Sequence, residues 1–508
     1  MSFGVAVEDE AAEKSLSARV ILTGFMDFTT SHGITHTYHA KGTLKKLFWG
    51  FLTLASTVLL CLHLWIMISG YIAYDSVTNI NINEARSLDF PAVTVCNNNG
   101  VKRSNMPSWM DDLVKSSMGS YLNGSDDKIS KNDLVKKISE EISLLNTTEK
   151  SMLGYSYADM IILCSFNGEN CFESDFWTFY HSVYGNCYSF NTGKNGAIQK
   201  TSLAGPSNGG DSIILKFVIS CLTLIINIGL YEYVKFLTEE AGIKVVIHDQ
   251  KAMPFPDHDS LSTSPGQVNN IAVKMMNTTR LDGNYGNCTR LDSNEDNMYF
   301  YPYNVSYTQW ACLRTCYQKE LVNTCKCFDP DLPYDYDTIV FNHIEKAKGP
   351  CKLTNSTNVN CITEVSSRFA DRTLKCGTCY QPCNEILYES TQSTSSYPAL
   401  SYIDDFVAVI NKTNPLLLSK LKDEYGDDQV SFAIQSNFLK INVFHQRMTY
   451  TTYEQVASYD DYQFASDFGG AWGLWIGWST LTIFELIELG LDMLVYYCYN
   501  ANKSQPSQ

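Results

Sequence analysis

Residues 467–499 read DFGGAWGLWIGWSTLTIFELIELGLDMLVYYCY. The stretch is long and apolar enough to cross a bilayer, which takes roughly 20 such residues. Yet it carries Glu485, Glu488 and Asp492, and a carboxylate at the bilayer centre costs about 2.5–3.5 kcal/mol on the mildest scale. The spacing i, i+3, i+7 puts all three on one helix face. That face has to look at water, at protein or at cations rather than at lipid. Upstream, Gly469, Gly470, Gly473, Gly477 and Ser479 are small, which lets helix backbones approach closely. Several such helices around an axis would form a narrow neck above rings of acid, a route for cations. A single-pass anchor with its acids among the headgroups is the plainer reading. Three acids on one face, below glycines and a serine, favour the pore.

A second apolar stretch, Leu47 to Tyr71, reads LFWGFLTLASTVLLCLHLWIMISGY and predicts a first span over 47–72. Trp49, Trp65 and Tyr71 suit its interfaces. Lys41, Lys45 and Lys46 precede it and set residues 1–46 in the cytoplasm. No apolar run opens the chain, so no cleavable signal peptide is expected. Within 1–46, Ser31-His32-Gly33-Ile34 reads as a turn whose glycine allows close backbone approach. Residues 73–463 then lie outside, 464–499 form the second span and pore-lining helix, and 500–508 return to the cytoplasm.

Two features agree with an outside location. All of the 17 cysteines except Cys61 and Cys498 lie between Cys96 and Cys383, which implies an oxidising compartment or metal sites. Glycosylation sequons occur at Asn123, Asn146, Asn277, Asn287, Asn304, Asn355 and Asn411. Cys376-Gly-Thr-Cys379 could be half a zinc site, but the second pair is missing, so we expect disulfides and no metal. Cys312 and Cys316 are one helical turn apart, as are Cys379 and Cys383. A ladder of bridges from a helix to a facing strand or loop follows, each worth about 2–4 kcal/mol.

The region reads as mixed. Leu88–Cys96, Ile213–Leu230, Gly242–His248 and 431–457 look like strands. Residues 107–152 and 401–426 have helical spacing, and Asn191–Asp211 is a Gly/Ser/Asn-rich loop. With no βαβ rhythm, antiparallel sheet is expected. A net charge of −16 argues against nucleic-acid binding. No phosphate loop, zinc-protease motif or nucleophile elbow occurs, so we expect no enzyme and no cofactor.

The residues so far resemble the degenerin/epithelial sodium channel/acid-sensing channel superfamily. The resemblance rests on His32-Gly33, on Phe90-Pro-Ala-Val-Thr-Val-Cys96-Asn97 and on Tyr307 with Cys312 and Cys316. Cys325-x-Cys327 and Asp467-Phe-Gly-Gly-x-x-Gly473-Leu-Trp-x-Gly477-x-Ser479 complete it, covering nearly the whole chain. It implies an α+β membrane protein with two transmembrane helices and a hand-like, disulfide-rich extracellular domain of finger, thumb, palm, knuckle and β-ball. Subunits would form a homotrimer or a heterotrimer with related subunits in the plasma membrane, among lipid, with both termini cytoplasmic.

The implied function is a sodium-selective channel blocked by amiloride, with sodium as permeant ion. Gly477, Trp478 and Ser479 would be the selectivity tripeptide, where Trp478 departs from the usual small residue and its side chain would face away from the pore. Gly473 falls where amiloride sensitivity maps, Ser466 at the position where bulky residues lock channels open, with Asp467 beside it. His32 and Gly33 would line a re-entrant gating loop, with Glu485, Glu488 and Asp492 below the filter. The implied bridges are 96–187, 164–171, 288–383, 312–379, 316–376, 325–361 and 327–351, leaving Cys221 free.

For the stimulus, Gly70–Asp75 lacks the histidine pair of acid-sensing members. The long ectodomain, with an insertion around 191–211, looks more like channels opened by FMRFamide-type peptides, and a cationic peptide suits an acidic, aromatic cleft. Proton-gated or constitutively or mechanically opened members are the alternative. A non-conducting two-span receptor or adhesion protein is a further one, but neither span has a lysine or arginine to pair the acids. An ATP-gated trimer would need a lysine-rich phosphate site, which the sequence lacks.

Overall fold

The computed structural model describes residues 18–122, 131–194, 200–203, 221–235, 237–290, 297–335, 340–341, 344–352, 355–374, 376–377 and 379–503. The chain divides into two compact units, 1–77 with 456–508, and 78–455.

The first unit is helical. It begins with α1 (Ala18–Phe28), α2 (His32–His39) and α3 (Thr43–Ile72). Among the described helices, α3 is the one long and apolar enough to cross a membrane. Much of its apolar surface, including Leu47, Phe51, Leu54, Leu62 and Ile66, is exposed, as lipid-facing residues would be. The other face is packed: Leu60 and Met67 are buried with Ala471, flanked by Phe468 and Trp472.

In the second unit the helices are α4 (Ser108–Leu122), α5 (Lys131–Ser143), α6 (Thr147–Leu153), α7 (Tyr157–Met160), α8 (Phe300–Tyr303), α9 (Gln309–Cys325), α10 (Ser356–Ala370), α11 (Ile403–Thr413), α12 (Pro415–Tyr425) and α13 (Val430–Asn437). The first unit then resumes with α14 (Asp461–Ile476) and α15 (Thr480–Lys503). The second apolar segment is therefore two helices and not the single helix expected over 464–499. Gly477 adopts the left-handed conformation, φ 70°, and ends α14.

Two sheets dominate the second unit. The larger contains β1 (Ser76–Glu84), β4 (Ile161–Phe166), β5 (Glu169–Asn170), β9 (Cys221–Asn227), β12 (Gln267–Thr279), β13 (Asn384–Ser396) and β14 (Phe438–Ala457), in the order β13-β12-β14-β9-β4-β5 with β1 also on β14. The smaller is ordered β11-β10-β3-β7-β6, from β3 (Ala92–Asn97), β6 (Phe176–His181), β7 (Gly185–Phe190), β10 (Ile243–His248) and β11 (Leu261–Thr263). A short pair joins β2 (Ser87–Asp89) to β8 (Thr201–Leu203). Alternate residues Leu222, Leu224, Ile226 and Leu439, Ile441, Val443 share a core with Phe90, Val93, Val95 and Phe190. That is the period-2 pattern of strands burying one face.

The expected antiparallel pairing holds for β2–β8, β3–β7, β3–β10, β4–β5, β4–β9, β6–β7, β9–β14, β10–β11 and β12–β13, whereas β12 and β14 pair in parallel. Such a pair needs a long connection, and here it runs through α8, α9, α10, β13 and α11–α13. The strand expected over Leu88–Cys96 is split at Phe90-Pro91, because Pro91 has no N–H to donate. The strand expected from 431 starts at Phe438, since Val430–Asn437 closes the α11–α13 core with Ala433 and Ile434. Residues 213–220, and 195–199 and 204–211 of the expected loop, lie outside the described residues, as does Asn123. Of the other sequon residues, Asn146, Asn287, Asn304, Asn355 and Asn411 are exposed, while Asn277 is half-buried in β12.

Seven disulfides form among the described residues. Cys312–Cys379 and Cys316–Cys376 are rungs one turn apart between α9 and the facing loop. Cys325–Cys361 ties α9 to α10, with Cys327–Cys351 and Cys288–Cys383 nearby in sequence. Cys96–Cys187 joins β3 to β7, and Cys164–Cys171 closes the β4–β5 hairpin. Cys61, Cys221 and Cys498 are free.

Phe406, 2% exposed, fills the α11–α13 core, whereas Leu416 in α12 is 76% exposed. Phe406→Ala should cost about 3–5 kcal/mol and Leu416→Ala less than about 0.5 kcal/mol. Thermal unfolding of the purified chain in detergent separates the two.

Candidate pore and ligand sites

The break in the second apolar segment pairs the N–H groups of its turn within the segment. Gly477 N–H donates to Gly473 O at 3.1 Å and Trp478 N–H to Trp472 O at 3.3 Å. Ser479 N–H donates to Thr482 Oγ1 at 3.1 Å. The N–H groups of the turn are thus paired within the protein, as irregular backbone inside an apolar slab requires.

Onto this turn lies the stretch between α1 and α2. A Cβ at Gly477 would come 2.1 Å from His32 Nδ1, so the imidazole occupies that space. Trp478 Nε1–H donates to Ser31 Oγ at 3.0 Å. Thr30 and Thr482 hydroxyls are 2.6 Å apart. Glu485 Oε2 accepts from Thr30 N–H and from Thr29 Oγ1, each at 2.9 Å. Thr29, Ser31 and Thr482 are buried. The turn expected at Ser31–Ile34 is instead the start of α2, because Ser31 stands at its N-cap. Close approach holds at Gly33, where a Cβ would meet Thr53 Oγ1 of α3 at 2.6 Å.

The structure thus gathers His32, Gly477, Trp478 and Glu485. Ser466, Gly473 and the glycines Gly469 and Gly470 lie on exposed parts of α14, and Asp467 accepts from Tyr459 OH at 2.9 Å. Glu488 and Asp492 share the face of α15 with Glu485 but are exposed. Sequence reasoning missed Thr29, Thr30, Ser31 and Thr482. Their signal is a run of hydroxyl residues just before His32-Gly33, matched by hydroxyls after Gly477.

In the second unit, a cavity of about 170 Å³ opens where α5 and α6 meet β6, α9 and the 253–255 and 330–333 loops. Ligand pockets usually run to roughly 300–1,000 Å³, so this one takes a side chain or two. Tyr180, Phe255, Tyr299 and Tyr303 give it aromatic walls, and His181, Lys150 and Arg314 reach it. Arg314 lies over the Phe255 ring at 4.5 Å and donates to Asp257 at 2.5 Å. Burial pushes the Asp257 carboxyl up, but His181 and Arg314 outweigh it and hold the carboxyl well below the usual range.

The model of the family described as amiloride-sensitive sodium channel matches residues 25–489. The chain belongs to this family. The FMRFamide-activated amiloride-sensitive sodium channel of Cornu aspersum is 26% identical over 94% of this chain and 84% of its own length. Acid-sensing ion channel 2 of Homo sapiens is 26% identical, covering 92% and 86%. Epithelial sodium channel subunit beta of Neoceratodus forsteri is 29% identical over 70% of this chain, and the match spans 50% of that subunit. A proton-activated chloride channel structure superposes at a TM-score of 0.31 with 6% identity, over 88% of this chain and 96% of that one, too low to carry an argument. As a family member the chain is grouped with ion channels and not with enzymes.

Two outcomes follow from the geometry. Gly477→Ala combines a left-handed backbone, costing about 1–2 kcal/mol, with a clash against His32; it should lower the unfolding temperature of the purified chain, and His32→Gly in the same chain should return part of the loss. Asp257, with its depressed folded value, stabilises fully above the unfolded carboxylate range near pH 4, and that contribution fades as pH falls through the folded value. Asp257→Asn should therefore unfold below wild type at neutral pH, with the gap closing below about pH 4 in thermal scans.

Proposed function

We propose that this chain is the pore-forming subunit of a trimeric, sodium-selective, amiloride-blocked channel opened by an extracellular ligand, a short FMRFamide-type peptide. The subunit spans the plasma membrane twice, over 47–72 and 464–499, with both termini cytoplasmic and 73–463 outside. The observation that carries the reading is the break at Gly477-Trp478-Ser479. It interrupts an apolar segment, leaves Ser479 exposed, and sits above the exposed acids Glu488 and Asp492. A serine hydroxyl and the carbonyls of a turn are hard oxygen ligands suited to sodium, and acids beyond them concentrate cations.

Peptide gating draws on the Cornu aspersum relative and on the aromatic cavity, whose walls suit an aromatic side chain of a peptide. Binding there displaces α9, which the disulfide rungs make stiff. β1 and β14 continue along the chain toward α3 and α14, the covalent route by which a shift reaches the spans. Proton gating is the second reading. Asp329, pushed up to about 6 by burial, titrates in a fitting range, and acid-sensing ion channel 2 is among the relatives.

Cells expressing the chain alone should carry an amiloride-blocked sodium current under FMRFamide, with Ser466→Phe giving a standing current and Ser479→Ala changing the sodium-to-potassium permeability ratio. Current evoked by acid but not by peptide would move the assignment to the second reading. Absence of sodium current under peptide, acid and Ser466→Phe alike counts against both.

A further inference from the structure

Trp478 places an indole in a turn where little room is left. The space beside Gly477 is taken by His32. The indole lies instead against Trp472, with centroids 5.0 Å apart and ring planes 25° from parallel. Its Nε1–H donates to Ser31 Oγ at 3.0 Å, and Ser31 is 4% exposed. Losing either partner would leave a screened polar group unpaired, which costs more than the bond itself contributes. Of the three side-chain positions in the turn, the first is filled by another residue and the second is tied down. Only Ser479 remains exposed.

Resting on the pore reading above, we propose that Ser31 and Trp472 are selectivity-positioning residues. Through the Trp478 indole they fix the backbone of the tripeptide, so that the N-terminal segment sets the width at which ions meet Ser479. On this account Trp478 touches no ion. It is the anchor that joins residue 31 to a turn 447 positions later in the chain. Ser31 bonds the indole hydrogen and Trp472 holds the ring plane. Trp472 itself has no acceptor for its Nε1–H among the described residues, so its part in this contact is the stacked face.

The test is the sodium-to-potassium permeability ratio, from reversal potentials in cells expressing the full chain. Ser31→Ala removes the acceptor, Trp478→Phe removes the donor and keeps a ring on Trp472, and Ser31→Thr keeps the hydroxyl. Ser31→Ala and Trp478→Phe should each lower the ratio roughly fivefold, the size of one hydrogen bond of about 1 kcal/mol. The double variant should fall no further than either single one, because both remove the same bond. Ser31→Thr should keep the wild-type ratio, and Trp472→Ala should lower it. Unchanged ratios in Ser31→Ala and Trp478→Phe would overturn the proposal. So would loss of all the variants, Ser31→Thr included, from the cell surface by biotinylation, since the contact would then serve folding. Loss of Ser31→Ala from the surface with Ser31→Thr normal, and an unchanged ratio in Trp478→Phe, would likewise assign the hydroxyl to folding and overturn the proposal. A wild-type chain with no sodium-selective current refutes the pore reading itself, a result separate from the others.

Discussion

A helix that stops inside an apolar segment must find partners for every backbone group it frees, because hydrocarbon offers none. The turn at residues 477–479 meets the N–H part of that demand locally, with two N–H groups bonded back into α14 and the third capped by Thr482. The left-handed φ of Gly477 makes this geometry possible. With the turn's N–H groups paired, the side chains around it make other contacts. They go to Thr29, Thr30, Ser31 and His32, and the N-terminal segment becomes part of the same structure.

That arrangement divides the acidic stripe. Glu485 has a backbone N–H and a hydroxyl on one oxygen, so its carboxylate ties α15 to the N-terminal segment. Glu488 and Asp492, one and two turns further on, are exposed and keep the capacity to attract ions. Residues of one type on one face thus do different work, decided by what stands opposite each.

The sequence carried the periodic parts of this structure. The stripe 485, 488, 492 does lie along one helix, and the helices at 107–152 and 401–426 fall where their spacing puts them. The bridges agree with those implied by the family resemblance, which spacing alone could not supply. What stayed hidden depends on distant partners. Nothing near Glu485 announces Thr30, 455 residues away. The break at Gly477 looked like one more small residue for close packing, because a glycine's φ is set by its surroundings. The parallel pairing of β12 with β14 was invisible too, since the sequence reading placed no strand over Gln267–Thr279 and only the fold decides a strand's direction.

β14 is 20 residues long and is flanked on both sides, by β9 and β12, over its first half. Its buried residues Leu439, Ile441 and Val443 alternate with half-buried ones. Sliding it by a single residue would swap the two faces and bring Lys440 and Asn442 into the core. The strand therefore has no gradual way to creep along its neighbours. Between residues 445 and 450 its register against β12 shifts, so slippage is barred in the buried first half while the irregular stretch is where the strand can bend.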